Sequence, residues 1–235
     1  MTLSRTCRLV LMLTVLIAPK VMAQNPATGG TPAPLRLAAI PFALDTRNAP
    51  ESLCVEGGNT LSFAAAKGTN LFNNPNGLSA VQNAPMVLFE PDGDFVLTAK
   101  VTADLKAVYD VAALVVYQDP DLWAKLCYEN SPTKEATVVS VVTRELSDDC
   151  NSMAVADSFA YLAIARKGRE FSFHYSPDGR SWRLIRHFNL ALTGKPRLGF
   201  AVHGSMGQGT RGVFSEITFS RTPPEKMRQL NPLTP

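Results

Sequence analysis

The chain has 235 residues, 46% of them hydrophobic, with 23 Lys and Arg against 20 Asp and Glu. Arg5 and Arg8 precede an apolar run from Leu9 to Ala18 and then the small-residue pattern Val21-Met22-Ala23, which reads as a secretory signal peptide over residues 1–23. Its removal takes away Arg5, Arg8 and Lys20 and no acid, so basic and acidic residues balance; this argues against nucleic acid as a partner. No later apolar run reaches the roughly 20 residues that cross a bilayer.

Export leads to a periplasm or to the outside of the cell, and the sequence leaves both open. Cys7 departs with the signal, leaving Cys54, Cys127 and Cys150 for an oxidising compartment. One disulfide and one buried thiol is the simplest arrangement. Cys127 falls in a predicted strand, while Cys54 and Cys150 fall near turn-like sequence, which favours pairing those two. No Cys-x-x-Cys or His cluster supplies a zinc site.

Residues 24–34 (QNPATGGTPAP) read as a Pro/Gly/Ala linker and residues 222–235 as a Pro-bounded tail, both expected to be poorly ordered. Between them, residues 35–221 form one domain. Its apolar spacing has period two, and no amphipathic helix longer than about ten residues stands out. Strands are predicted over 60–65, 86–89, 95–103, 112–118, 122–129, 137–144, 161–166, 171–176, 182–188, 197–202 and 212–219. Turn residues separate them, among them Pro91-Asp92-Gly93 and Pro177-Asp178-Gly179. That pattern predicts an all-β fold, a two-sheet antiparallel β-sandwich.

In the segment from Phe171 to Ser176, Phe171, Phe173 and Tyr175 alternate with Ser172, His174 and Ser176. The aromatic set should face the core and His174 the outside. The following SPDGRSW is a tight hairpin turn, with Asp178-Gly179 where φ must be positive.

Several segments together resemble one family, DUF1349. They are VEGGNTLSF from Val55, TNLFNNPNG from Thr69, GDFVLTAKV from Gly93, YDVAALVVYQD from Tyr109, WAKLCYE from Trp123, VVTRELSDDCNS from Val141 and FSFHYSPDGRSW from Phe171. The resemblance spans roughly residues 50–220. It implies a concanavalin A-like jelly roll, whose concave sheet is expected to hold a saccharide, and it implies no settled reaction.

Within WAKLCYE, alternation puts Trp123, Lys125, Cys127 and Glu129 on one face and Ala124, Leu126 and Tyr128 on the other. A sugar site needs an aromatic ring to stack on the pyranose and charged groups for its hydroxyls. Trp123, Lys125 and Glu129 form such a set, joined by Tyr161 and His174 if their strands share the sheet. The competing reading is a solvated strand face with a Lys/Glu pair.

The segment RELSDDCNS reads as a loop. Asp148, Asp149 and Asn151 within it suit a hard cation such as calcium, with Asn70 and Asn73 contributing from a neighbouring loop, although the same residues are ordinary turn formers. Calcium is the only cofactor suggested.

For catalysis, the Glu-x-Asp-x-x-Glu run of the sandwich glucanases is missing; its nearest counterpart, EPDGD from Glu90, is a turn. Glu129 with Asp148 or Asp149 is the remaining acid/base pair. Ser205 in HGSMGQG sits in a glycine-rich loop and not in a nucleophile elbow. Three functions stand: an exported carbohydrate-binding module for oligo- or polysaccharide, a glycoside hydrolase or lyase on the same scaffold, and a cell-envelope interaction domain.

Overall fold

The computed structural model describes residues 35–231; the predicted signal peptide, the whole of the linker and the last four residues lie outside that range. The described residues contain strands and no helix. In chain order the strands are β1 (Leu35–Leu37), β2 (Ile40–Arg47), β3 (Ser52–Glu56), β4 (Thr60–Ala65), β5 (Leu71–Asn73), β6 (Ala80–Gln82), β7 (Met86–Phe89), β8 (Phe95–Ala103) and β9 (Asp110–Asp119). They continue as β10 (Leu122–Asn130), β11 (Ala136–Arg144), β12 (Leu146–Ala154), β13 (Ala160–Lys167), β14 (Glu170–Ser176), β15 (Arg183–Asn189), β16 (Arg197–Gly204) and β17 (Thr210–Ser220).

One sheet has eight strands in the order β1-β2-β7-β16-β9-β10-β11-β12; the other has seven, ordered β15-β14-β13-β8-β17-β4-β3. The expected sandwich is what the structure shows. Its core lies between the sheets and draws on alternate residues of each strand: Ala112, Leu114 and Val116 of β9, Ala124, Leu126 and Tyr128 of β10, and Phe171, Phe173 and Tyr175 of β14. Burying each of the larger apolar side chains in this set contributes about 1.5 to 3 kcal/mol, which fixes the register, because a one-residue slip would turn the set outward.

Both outer faces carry a further covering. The β5–β6 hairpin lies on the outer face of the eight-stranded sheet, where Leu71 and Ala84 pack with Met86, Val111, Ala113, Val115, Trp123 and Val139. This second apolar layer explains why β9 reads as an uninterrupted apolar run: Asp110 to Tyr117 are all buried. On the seven-stranded sheet, Met227 and Leu230 pack against Val96, Ala163, Ala165 and Trp182. Residues 222–231 are therefore seated on the sheet, which corrects the expectation of a loose tail over that stretch; two apolar side chains suffice to dock it.

The segment RELSDDCNS is not a loop. Leu146–Ala154 is the edge strand β12, paired with β11 from Arg144↔Leu146 to Thr137↔Ala154 with a bulge at Val138/Val139. Its ladder is made by backbone groups while most of its side chains are exposed. An edge strand needs little apolar character and gains protection from its charges.

The expected disulfide is also absent: Cys54, Cys127 and Cys150 are free thiols. Cys54 is in β3, one edge of the seven-stranded sheet, whereas β12, which carries Cys150, lies against β15 at that sheet's other edge through the Arg186–Asp148 ion pair, 3.0 Å. The two thiols thus sit on opposite flanks of the sandwich, and no loop adjustment could join them. Cys54 and Cys150 are exposed and Cys127 is buried. A thiol titration of residues 24–235 should find two thiols reactive in the folded protein and a third only after denaturation.

Candidate functional site

Alternation along β10 places Trp123, Lys125, Cys127 and Glu129 on the outer face of the eight-stranded sheet, under the β5–β6 segment. Three features hold that segment in place. Asn73 donates its side-chain amide to the carbonyls of Glu145 at 2.7 Å and Pro120 at 3.1 Å. Thr69 accepts from the Gly204 amide at 2.9 Å, and Gly68 donates to the Gly204 carbonyl at 2.8 Å. Gly204 is required there: a Cβ would lie 2.6 Å from Gly209 Cα and 3.0 Å from the Ala66 carbonyl oxygen. Finally, Lys125 Nζ donates to the Leu71 carbonyl at 2.7 Å.

Between the hairpin and the sheet lies a cavity of about 260 Å³. Lys125, Glu129 and His203 line it together with Val111, Val139 and Val141, and Asp149 borders it from β12. Asn70, Phe72 and Asn74 of the hairpin segment and Tyr109 form the rest of the wall. Tyr109 is held with φ at +62° by the bond of its amide to the Asn130 carbonyl, 2.8 Å, and its ring is 40% exposed. Positive φ at a bulky residue is a strained conformation that tends to persist where function needs it.

The polar groups of the cavity are poorly solvated. Lys125 and His203 are 3% and 0% exposed, and Glu129 is 7% exposed. Burial pushes the Glu129 carboxyl up to about 7, against the opposing pull of Lys125. Burial lowers Lys125 and also, as the larger cause beside its Lys125 neighbour, lowers His203 and holds it neutral. Lys125 Nζ lies 3.5 Å from His203 Nδ1. With Nδ1 accepting from Lys125, the ring proton sits on Nε2, a buried atom that has no partner. Cys127 is a buried thiol pushed up to about 12 by desolvation and is inert.

The residues proposed from sequence divide into two groups. Lys125 and Glu129 line the cavity; Trp123 does not. It is wholly buried, its indole donating to the Pro120 carbonyl at 3.1 Å, so it is a core residue beneath the hairpin and no stacking platform. Tyr161 and His174 belong to β13 and β14 of the opposite sheet and cannot join the set. Tyr161 donates its hydroxyl to Glu216 at 2.8 Å on that sheet's outer face. His174 sits beside Ala163 in the row under the C-terminal segment, wholly buried, bonded to Ser172 Oγ at 2.9 Å and lowered to about 4 by burial.

The proposed cation ligands separate for the same reason. Asp149 pairs with Val141 and Asn151 with Val139 in the β11 ladder, whereas Asp148 pairs with Val142 on the core side. Asp148 therefore points the other way, to Arg186. Asn73 is also committed, to Pro120, Glu145 and Gln82. Among the described residues no cluster of three His, Cys, Asp or Glu side chains could hold a metal. Sequence reasoning missed Tyr109, His203, Phe72 and Asn74. Their strands or loops were visible, but only the folding of residues 66–84 onto the sheet brings them together.

A DUF1349 family model, described as a protein of unknown function, matches residues 47–222. The chain belongs to the DUF1349 family. A functionally unknown protein from Saccharomyces cerevisiae is similar in structure at 20% identity and a TM-score of 0.71, over 78% of this chain and 97% of that one. A GH43 protein from Bacillus licheniformis matches at 14% identity and TM-score 0.60, over 74% of this chain and 36% of its own. A xylan beta-1,4-xylosidase from Bacillus halodurans matches at 13% and 0.58, over 75% and 38%. The chain thus spans little more than a third of each of these two enzymes. These likenesses establish the fold. Among curated proteins no match is found.

The raised Glu129 carboxyl links pH to stability. Between its ordinary value of 4.5 and about 7 the folded chain binds this proton and the unfolded chain does not, so the contribution of Glu129 to stability falls as pH rises through that window. The loss amounts to about 3 kcal/mol. Denaturant titrations of Glu129→Gln should show a flatter profile from pH 5 to 8 than the wild type, with the variant gaining relative stability at the alkaline end.

Proposed function

We propose that this DUF1349 protein is an exported carbohydrate-binding module that holds one sugar ring of an oligo- or polysaccharide in the cavity under the β5–β6 hairpin. The observation that carries this reading is the buried Lys125–Glu129–His203 set facing an aromatic and amide wall. Buried polar groups are normally satisfied, yet His203 Nε2 has no partner. A polyol answers that arrangement: an oxygen accepts from His203 Nε2, its hydroxyls donate to Glu129 and Asp149, and the exposed Tyr109 faces the apolar side of the pyranose. The GH43 likenesses are consistent with such a role for a sandwich of this kind and supply no residue of it.

Glu129 and Asp149 border the same cavity, with Glu129 protonated near neutrality, which is the feature that favours a hydrolase. Size decides between the two. A scissile glycosidic bond brings two rings into the cleft, whereas about 260 Å³ falls below the usual range for drug-sized ligands, roughly 300 to 1,000 Å³. One terminal ring fits better, so binding is the preferred reading.

Two measurements bear on this. Calorimetry of residues 24–235 against a panel of mono- and oligosaccharides should detect binding that falls at least tenfold in Tyr109→Ala and Glu129→Ala, about 1.4 kcal/mol or more, and is unchanged in Tyr161→Phe. Loss of affinity in the last variant alone would move the site to the other sheet. For export, mass spectrometry of the protein recovered from its native compartment should find Gln24 at the N-terminus.

A further inference from the structure

Lys125 is a buried lysine without an acidic partner. It is 3% exposed, yet none of the ion pairs among the described residues includes it. Its amine nitrogen has two acceptors, the Leu71 carbonyl at 2.7 Å and His203 Nδ1 at 3.5 Å. Two acceptors match the two hydrogens of a neutral amine and leave one lone pair. An ammonium would hold a third hydrogen and a full charge with no carboxylate in contact and only the Trp123 ring, its centroid 5.7 Å away, to face it, which is a costly state for a buried group.

We propose that Lys125 is a nucleophilic amine that captures the open-chain aldehyde of a sugar's reducing end as a Schiff base. The inference deepens the saccharide-binding reading by naming which terminus enters the cavity, since only the reducing end carries a latent carbonyl. A lysine desolvated in an apolar pocket is the kind that performs this chemistry, and the burial that depresses Lys125 acts in that direction.

The neighbouring groups complete the step. The nitrogen lone pair forms a bond to the aldehyde carbon as the carbonyl π pair moves to oxygen. His203 Nδ1, already beside Nζ, accepts a proton from the new ammonium and passes it on to the alkoxide, giving a carbinolamine. Glu129, protonated at pH values up to about 7, donates a proton to the carbinolamine hydroxyl, which leaves as water while the nitrogen pair forms the C=N bond. The product is an iminium with the Glu129 carboxylate as counter-ion in the same cavity. Nothing is oxidised or reduced, and water entering the cavity reverses the capture.

The test uses residues 24–235 with glycolaldehyde, the smallest hydroxyaldehyde, and sodium cyanoborohydride at pH 7, followed by peptide mapping. Trapped adduct should accumulate at Lys125 faster than at the exposed lysines, because burial lowers its amine and so raises the fraction that is free to attack at pH 7. In Glu129→Gln, labelling at Lys125 should slow while that of the surface lysines is unchanged. Adduct spread over surface lysines with Lys125 unmodified would overturn the proposal. The same protein in calorimetry separates the two readings. Saccharide binding without Lys125 labelling removes the Schiff base alone, and labelling without saccharide binding removes the sugar assignment and leaves a carbonyl-capturing lysine.

Discussion

The seating of residues 66–84 on the outer face of the eight-stranded sheet is the constraint from which the rest of this molecule's character follows. A sandwich needs only its inner faces buried, and the outer face of β9, β10 and β11 would otherwise be wet. Here Leu71 and Ala84 cover it, and the strands beneath become apolar on both sides, down to a wholly buried Trp123. The covering is pinned by polar bonds at its ends, Thr69 to Gly204 and Asn73 to Pro120 and Glu145, with Lys125 reaching up to the Leu71 carbonyl between them. Where the hairpin does not fill the space, a cavity is left with titratable groups lining it.

Each outer face holds an unpartnered buried imidazole nitrogen, His174 Nδ1 under the C-terminal segment and His203 Nε2 under the β5–β6 hairpin, and the two faces differ in what surrounds it. On the seven-stranded sheet, Asp178 accepts from Ser176, Arg180 and Ser181, which holds its carboxyl well below the usual range, and Tyr161, Lys100 and Glu216 satisfy one another. Those groups shape a turn and a bulge. Under the β5–β6 hairpin His203 Nε2 lines a cavity together with Lys125, which has no carboxylate in contact, and Glu129, which burial holds partly protonated. Of the two imidazoles only His203 lines a cavity, where a polar ligand can answer the unsatisfied nitrogen.

The inner core was legible in the sequence because strict alternation has one physical cause, a sheet with one face on another sheet. β4, β7 and β8 coincide with the predicted strands from end to end. Strands without that cause were missed: β12 is held by backbone pairing and bears exposed polar side chains, and β2 alternates weakly and contains Pro41. The site was half legible. Period two correctly grouped Lys125 and Glu129 on one face of β10, but it cannot say whether that face meets water or a second layer, so Trp123 read as an exposed platform. It also cannot assign strands to sheets, which is why Tyr161 and His174 were added to a face they do not share. His203 and Tyr109 carry no local signal at all; their role arises from topology.

Hydrogen exchange of the backbone amides, with and without a saturating oligosaccharide, addresses the central claim that ligand enters beneath the β5–β6 hairpin. The account predicts added protection confined to residues 69–74, 109–111 and 203–205. Protection confined instead to residues 161, 178–182 and 216–218, the open groove on the seven-stranded sheet, would contradict it.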